Sequence, residues 1–396
     1  MSNCKIFLKP KKEESILRLH PWVFSGAIAS IKGKPAEGDL VEVFAADNTF
    51  LGIGHYQIGS IAVRILSFQP ESIDHAFWTG RIRMAYELRR VLDLAEVTDN
   101  NIYRLIYGEG DQLPGLIIDV YGNTAVMQAH SIGMHHSRKE IAEALKEVLG
   151  ETLQNIYYKS EGTLPFKANI ESENEYLYGN YSEKEHIAIE KGLQFHIDWL
   201  KGQKTGFFID QRENRLLLEK YAHCRNVLNM FCYTGGFSVY AMRGNAKIVH
   251  SVDSSAKAIS LTEKNISLNF PNDNRHQSYT EDAFSFLEKA GDQYDLIILD
   301  PPAFAKHKNV LRNALQGYRK LNAIAFEKIK PGGIIFTFSC SQVVSKNDFR
   351  LAVFSAAAQS GRHVRILHQL TQPADHPVNI YHPEGEYLKG LVLYVE

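Results

Sequence analysis

The sequence predicts an α/β protein: a mostly parallel sheet covered by helices, preceded by a small β-barrel and a small central α+β unit. Three observations carry that expectation. From about His186 onward, apolar strand-like runs alternate with helical periodicity, which requires crossover connections and so a parallel sheet covered on both faces. The first 1–72 residues instead alternate short apolar runs with Gly and Pro, the pattern of a barrel. The 396-residue chain is longer than one hydrophobic core organises, and the change of pattern divides it into 1–72, 73–185 and 186–396.

In the first segment, the runs from Gly38 to Phe44 and from Ile61 to Leu66 read as strands, and His20-Pro-Trp-Val-Phe-Ser-Gly26 crowds a Trp and a Phe around a turn. A helix is expected from about Asp74 to Val97, with Phe77, Ile82, Ala85, Leu88 and Leu92 on one face. Next come an apolar Tyr103–Ile106, a turn-rich Gly108–Gly115, and two strands, Leu116–Tyr121 and Thr124–Gln128, joined at the hairpin turn Gly122-Asn123. A helix from about Ser137 to Leu149 and a strand at Ile156–Tyr158 close this unit, and the polar run from Glu171 to Glu175 reads as a linker or loop. In the last segment the main strands are expected at Asn226–Asn229, Lys247–Val252, Tyr294–Leu299 and Gly333–Phe338. Such sheets bind ligands beyond the carboxyl ends of their strands.

Hydrophobic residues make up 44% of the chain and charged residues 22%, the balance of a soluble globular protein, and no apolar stretch is long enough to span a bilayer. The opening Met-Ser-Asn-Cys-Lys-Ile-Phe-Leu has no apolar core of a secretory leader, so a cytoplasmic location is expected. Cys4, Cys224, Cys232 and Cys340 have neither metal-ligand spacing nor the density of a disulfide framework. No metal is expected, and each cysteine can serve as a thiol. A net charge of −1 neither signals nucleic-acid binding nor rules it out.

The strand at Val227 runs into Asn229-Met-Phe-Cys-Tyr-Thr-Gly-Gly-Phe237 and then an apolar helix. Glycines at such a turn let a ligand approach the backbone, and the helix start offers N–H groups. This makes Asn229, Phe231, Tyr233, Thr234, Gly235 and Gly236 candidate cofactor residues. Asp253 ends the next strand, near the roughly 20-residue spacing at which an acid holds a ribose, and Asp282 precedes another helix, where it could accept from an adenine amino group or cap the helix. The turn is neither Gly-x-Gly-x-x-Gly nor a phosphate loop, so dinucleotide and ATP readings fall. Cys232 reads as a small packed residue.

The strand Leu296–Leu299 ends in Asp300-Pro301-Pro302-Ala-Phe304. Consecutive prolines stiffen the backbone and remove N–H donors, so the Asp300 carboxylate, with Pro301 and Pro302, can be presented to a planar base on which Phe304 could stack. The next sheet strand ends at Ser339-Cys340-Ser341, which places a thiol near Asp300 if the two strands are neighbours.

Together these residues resemble the bacterial family of 23S ribosomal RNA cytosine-C5 methyltransferases, over essentially the whole chain. The likeness rests on His20–Gly26, Lys204-Thr-Gly-Phe-Phe-Ile-Asp-Gln-Arg212, Asn229–Phe237, Asp300–Pro302, Ser339–Ser341, Ala374-Asp-His-Pro377 and Glu384-Gly-Glu-Tyr-Leu-Lys389. The combination is specific although its pieces are not. The resemblance implies a Rossmann-like methyltransferase domain using S-adenosyl-L-methionine, an N-terminal PUA barrel that binds RNA, and a cofactor site lined or supported by Lys204, Phe208, Asp210 and Arg212. Its substrate would be a cytosine in 23S ribosomal RNA, naked or in a large-subunit assembly intermediate, and a homodimer is one option for its assembly.

Cytosine C5 is too weak a nucleophile to take a methyl group unaided, so the Cys340 thiolate would add at C6 and enrich C5. Asp300 would offset charge developing on the ring. Another group of RNA cytosine methyltransferases carries a second cysteine where this chain has Pro302, so a two-cysteine release scheme is not available here; the base that removes the C5 proton is not identified. RNA engagement predicts Lys and Arg side chains on the face shared by barrel and pocket, with Arg18, Arg64, Lys306 and Arg319 as candidates. Two rivals are a guanine methyltransferase, which needs no thiol, and a non-catalytic RNA-binding ribosome-assembly factor.

Overall fold

A computed structural model describes residues 4–165, 173–180, 185–305 and 307–396. Lys306 and the Glu171-Ser172 part of the polar run lie outside the described residues. Contacts divide the chain into two compact units. The first comprises Met1–Gly192, Ile197–Phe207 and Ala374–Gly385; the second comprises Leu193–His196, Phe208–Pro373 and Glu386–Glu396.

The first unit holds two sheets. One has six strands in the order Trp22–Phe24, Ile61–Ser67, Phe50–Tyr56, Leu40–Phe44, Lys5–Leu8, Ile28–Lys32. Its period-two pattern buries Ile6, Leu8, Val41, Val43, Val63 and Ile65 in one core. The other has five strands in the order Glu175–Tyr178, Asn155–Tyr158, Thr124–Ala129, Leu116–Tyr121, Ile102–Tyr107. The hairpin at Gly122-Asn123 forms as expected, pairing Tyr121 with Thr124. Helices His75–Val91 and Arg138–Leu149 share this sheet's apolar cluster, which includes Trp78, Ile82, Leu105, Ile118, Met127 and Leu145. The first helix opens on an Asp74 cap that accepts the Phe77 N–H at 3.2 Å. It ends at Val91, short of the expected Val97, because Asp93 and Glu96 take left-handed conformations (φ 51° and 59°).

Ala374–Gly385 is pinned within this unit by buried charge. The Arg89 guanidinium, fully buried, donates to both Asp111 oxygens at 2.5 and 2.8 Å and to the Asp375 carbonyl at 2.9 Å. The Asp375 carboxylate accepts the Arg104 N–H at 2.9 Å. Arg104 in turn forms a bidentate pair with Asp119 at 2.7 and 2.8 Å, and Thr205 donates to Asp119 at 2.6 Å. Buried charges persist only when paired in this way. The Ala374–Pro377 motif is therefore a clamp on its own unit. Gly110 allows its close approach, since a Cβ there would lie 1.9 Å from the Pro377 carbonyl oxygen.

The second unit is one seven-stranded sheet in the order His276–Thr280, Ile248–Asp253, Asn226–Met230, Leu296–Leu299, Gly333–Ser339, Lys389–Val395, Val364–Leu370. The first five are parallel; Lys389–Val395 runs antiparallel to both neighbours. The four expected strands all form, within two residues at each end. Nearly unbroken apolar runs such as Leu296–Leu299 and Gly333–Ser339 are buried throughout, as parallel strands covered on both faces must be. After Asn226–Met230 the chain builds outward to one edge, then returns to place Leu296–Leu299 on the other side. The order reverses at that point, which opens a crevice beyond the carboxyl ends of these two strands. Among the described residues no helix is long and apolar enough to cross a membrane.

Candidate active site

Past Met230 the chain makes a tight loop in which Phe231, Tyr233 and Gly235 are all left-handed (φ 58°, 48° and 76°). At Gly235 a Cβ would lie 2.6 Å from Thr262 Cγ2, so close packing and backbone conformation both call for glycine. The loop is held from outside. Thr262 Oγ1 donates to the Tyr233 carbonyl at 2.9 Å, and Asn265 Nδ2 to the Thr234 carbonyl at 2.8 Å. The helix Gly236–Arg243 then starts with N–H groups directed toward the crevice end of the sheet.

Asp253, at the end of the neighbouring strand, accepts the Tyr233 N–H on Oδ2 at 3.0 Å and the Ser255 N–H on Oδ1 at 2.9 Å. Its carboxylate is fixed beside the loop, with remaining lone pairs to offer two hydroxyls. Asn229 is buried and donates to Ser238 at 2.9 Å, which bonds Ser251 at 2.6 Å. That chain joins the loop's take-off to its helix. Burial, and then the Asp253 charge, push the Cys232 thiol up to about 12, so this sulfur stays protonated and packed. Asp282 is exposed and caps Ala283–Lys289 by accepting the Ser285 N–H at 2.9 Å; that hydrogen bond holds its carboxyl below the usual range.

The segment after Phe207 approaches the same loop. Phe208 packs edge-on against Tyr233 with ring centroids 5.0 Å apart, and Arg215 donates to the Phe208 carbonyl at 2.9 Å. Asp210 accepts the Tyr387 hydroxyl at 2.6 Å, and Arg212 is fully buried. Lys204 belongs to the first unit, in a left-handed conformation (φ 48°).

Leu296–Leu299 and Gly333–Ser339 are parallel neighbours with Leu299 opposite Thr337. Asp300 and Cys340 thus leave the same edge of the sheet from adjacent strands. Asp300 Oδ2 accepts Gln211 Nε2 at 3.1 Å, and Gln211 is itself oriented by Asn214 at 2.6 Å. Pro301 is buried and Pro302 exposed. The half-buried Phe304 ring leans on Tyr318, with centroids 4.7 Å apart, and would meet a Cβ at Gly317 at 3.0 Å. Cys340 is half-buried, and none of the four cysteines forms a disulfide.

The loop carrying Cys340 is anchored at both serines. Ser339 Oγ donates to the Tyr318 hydroxyl at 2.9 Å, Ser341 Oγ lies 3.2 Å from the same hydroxyl, and the Ala305 N–H donates to Ser341 Oγ at 3.3 Å. Lys389 Nζ, only 6% exposed, donates to the Ser341 carbonyl at 2.6 Å. Sequence reasoning assigned no role to Gln211, Tyr318, Ser341, Tyr387 or Lys389. Four of them nevertheless sit inside motifs already singled out: Gln211 between Asp210 and Arg212, Ser341 in Ser339–Ser341, and Tyr387 and Lys389 in Glu384–Lys389.

Of the candidate RNA contacts, Arg18 is exposed beside Glu14 at 3.8 Å, Arg64 donates to Gln57 at 3.1 Å, and Arg319 is exposed. In the first unit, His20, His382 and Glu384 place potential ligand atoms within 4.8 Å of one another. The Trp22 backbone N–H donates to His20 Nδ1 at 3.2 Å, and His20 Nε2 and His382 Nε2 each lie 3.7 Å from Glu384.

The order reversal at Asn226–Met230, the glycine loop with Asp253 beside it, and Asp300 across the crevice define an α/β methyltransferase with a nucleoside-bearing cofactor. The chain belongs to the S-adenosylmethionine-dependent methyltransferase family, whose model matches residues 142–384; a PUA-like domain model matches residues 6–68. It is 39% identical over 394 residues to a ribosomal RNA large subunit methyltransferase I of Tolumonas auensis, covering 98% of each chain. A protein of the same name from Pseudoalteromonas atlantica is 40% identical over 396 residues, covering 99% of each.

Two solved structures share the fold. A SAM-dependent methyltransferase from Streptococcus mutans has a TM-score of 0.83 at 22% identity, covering 99% of this chain and 100% of that one. A methyltransferase complexed with SAH has a TM-score of 0.85 at 23% identity, with the same coverage. The expected fold class and the expected cofactor, S-adenosyl-L-methionine, are both met.

Proposed function

We propose that this chain methylates C5 of a cytosine in 23S ribosomal RNA through a Cys340 thiolate adduct at C6. The observation that carries the reading is the adjacency of two strand ends: Asp300 and Cys340 leave parallel neighbours, beside the strand that feeds the glycine loop. The family's curated relatives, named for the ribosomal RNA large subunit, supply the substrate class, and the PUA-like segment gives a second RNA-binding surface.

Asp253 would hold the ribose hydroxyls, and the Phe231–Gly236 backbone with the helix start would line the remainder of the cofactor. Phe208, Asp210 and Arg212 would support that wall, and Asp282 would reach the adenine. S-adenosylmethionine supplies an electrophilic methyl group. The Cys340 thiolate would form the Sγ–C6 bond, the C5–C6 π pair would enrich C5, and C5 would take the methyl as the sulfonium S–CH3 bond breaks and its electron pair stays on the departing thioether. Loss of the C5 proton to a base then breaks the Sγ–C6 bond and regenerates the thiolate. Asp300, fixed by Gln211, faces the ring edge at N3 and N4, where hydrogen bonding offsets charge developed during addition. Pro301 and Pro302 hold the backbone against the base. The base must be single-stranded or flipped out for its face to be reached.

The test is methyl transfer from labelled cofactor to 23S RNA lacking native methylation, comparing wild type with Cys340→Ala and identifying the labelled nucleoside. Labelled 5-methylcytosine from the wild type and none from the variant is the expected result. Methylguanine, or activity that survives the substitution, overturns the thiolate scheme. Cofactor binding without methylation of any RNA would point to an assembly factor.

A further inference from the structure

The Cys340 segment is gripped from its strand neighbour by a buried amine. Ser339 pairs with Lys389 across the antiparallel ladder, and the Lys389 side chain passes along that edge to donate to the Ser341 carbonyl at 2.6 Å. Two residues of one short loop are thus tied to a single lysine, with Cys340 between them. We infer that Lys389 is a positioning residue for the thiol: it fixes the loop through Ser341 and, as an ammonium, holds Cys340 in its thiolate form. The inference rests on the reading of Cys340 as nucleophile.

A lysine that is 6% exposed is a poor choice for structure alone. Burying an ammonium costs several kcal/mol in effect, and a carbonyl could be satisfied by a neutral donor. The cost is visible in its acidity: burial pulls the Lys389 ammonium down to about 8, partly countered by the Cys340 and Glu386 charges. Near neutral pH it therefore remains largely charged. A cation beside a thiol favours the anion, and ionisation sends the thiol proton to solvent, leaving a thiolate–ammonium pair ready for addition at C6.

Three other described groups lie around the pair. Lys346, on the helix Lys346–Ser360, is ion-paired with Glu386. Tyr318, on the helix Leu311–Lys328, is neutral, with burial pushing its hydroxyl up. Asp300, on the adjacent strand end, is a carboxyl group and brings no positive charge. Lys389 is the cation whose own strand neighbours the Cys340 loop.

The experiment measures Cys340 alkylation by iodoacetamide against pH in the full chain, resolved by peptide mass spectrometry from Cys4, Cys224 and Cys232. The series is wild type, Lys389→Met and Lys389→Arg. In the wild type the thiol should titrate below the ordinary cysteine value of about 8.5. In Lys389→Met it should titrate at least about one unit higher, cutting alkylation near pH 7 about tenfold, and Lys389→Arg should restore most of the shift.

A wild-type titration at or above the ordinary value overturns the inference without any variant. So does an unchanged titration in a Lys389→Met protein with native circular dichroism. Failure of the cytosine reading is seen separately. If Cys340→Ser still methylates RNA while the Lys389-dependent thiol shift persists, the function is wrong and the pairing stands.

Discussion

The backbone N–H of Ala305 donates to the hydroxyl of Ser341 at 3.3 Å. This bond joins the loop that follows Asp300 to the loop that carries Cys340, two segments that also meet through their parallel strands and through Tyr318. Ser341→Ala removes the acceptor while leaving the thiol and the carboxylate in place. Because small misplacement of reacting groups costs up to about 100-fold, methyl transfer is expected to fall about 10- to 100-fold with cofactor affinity unchanged. Steady-state kinetics alongside calorimetric cofactor binding check this; equal turnover in the variant would mean the two loops hold their spacing without the bond.

Asp253 holds the Tyr233 and Ser255 N–H groups, one on each oxygen. An amide at this position can accept on one side only, so Asp253→Asn loses an N–H partner as well as the charge. The dissociation constant for S-adenosylmethionine is expected to rise at least about tenfold, equivalent to about 1.4 kcal/mol. Isothermal titration reads it directly, and an unaltered constant would remove Asp253 from the ribose role.

Gly235 combines a φ of 76° with a Cβ position 2.6 Å from Thr262 Cγ2. Gly235→Ala is expected to destabilise the second unit by about 1–3 kcal/mol and to weaken cofactor binding. The double variant with Thr262→Ser, which deletes the clashing methyl group, should recover part of the loss. Denaturant unfolding of the wild type and both variants measures it; equal stability of the single and double variants would show that backbone strain, and not the clash, dominates.

His55 is 4% exposed in the first sheet, and burial, then the His136 and Arg64 charges, bring its imidazole down to about 3. A depressed folded value means the neutral ring is the native form. Its contribution is complete above the unfolded value near 6.5 and is lost as pH falls toward 3, with a slope approaching about 1.4 kcal/mol per unit. Unfolding midpoints at pH 7 and pH 5 should differ in the wild type and differ less in His55→Gln. A variant with the same pH dependence would assign the acid sensitivity to other groups.

The fold of both units was legible because their patterns are local. Alternation in Ile61–Ser67, the Gly122-Asn123 turn and the apolar runs of the parallel strands each depend on neighbours a few residues away, and the strands appear where those runs predict. The helix after Asp74 was overextended because left-handed Asp93 and Glu96 carry no strong mark in the sequence. The strand-end positions of Asp300 and Cys340 were legible too, since each follows an apolar run that forms a parallel strand.

By itself the sequence determined the parallel sheet, the glycine loop, and that Asp300 and Cys340 follow the ends of two strands. Only tertiary structure decided that those strands are neighbours, that Ala305 meets Ser341, and that Lys389 reaches the Ser341 carbonyl. It alone showed Asp375 serving Arg104 and Arg89, both distant from it in sequence, inside the first unit. The physical reason is the same in each case. Periodicity and turn chemistry are set by adjacent residues, whereas strand order and the satisfaction of buried charge depend on which distant segments the sheet brings together.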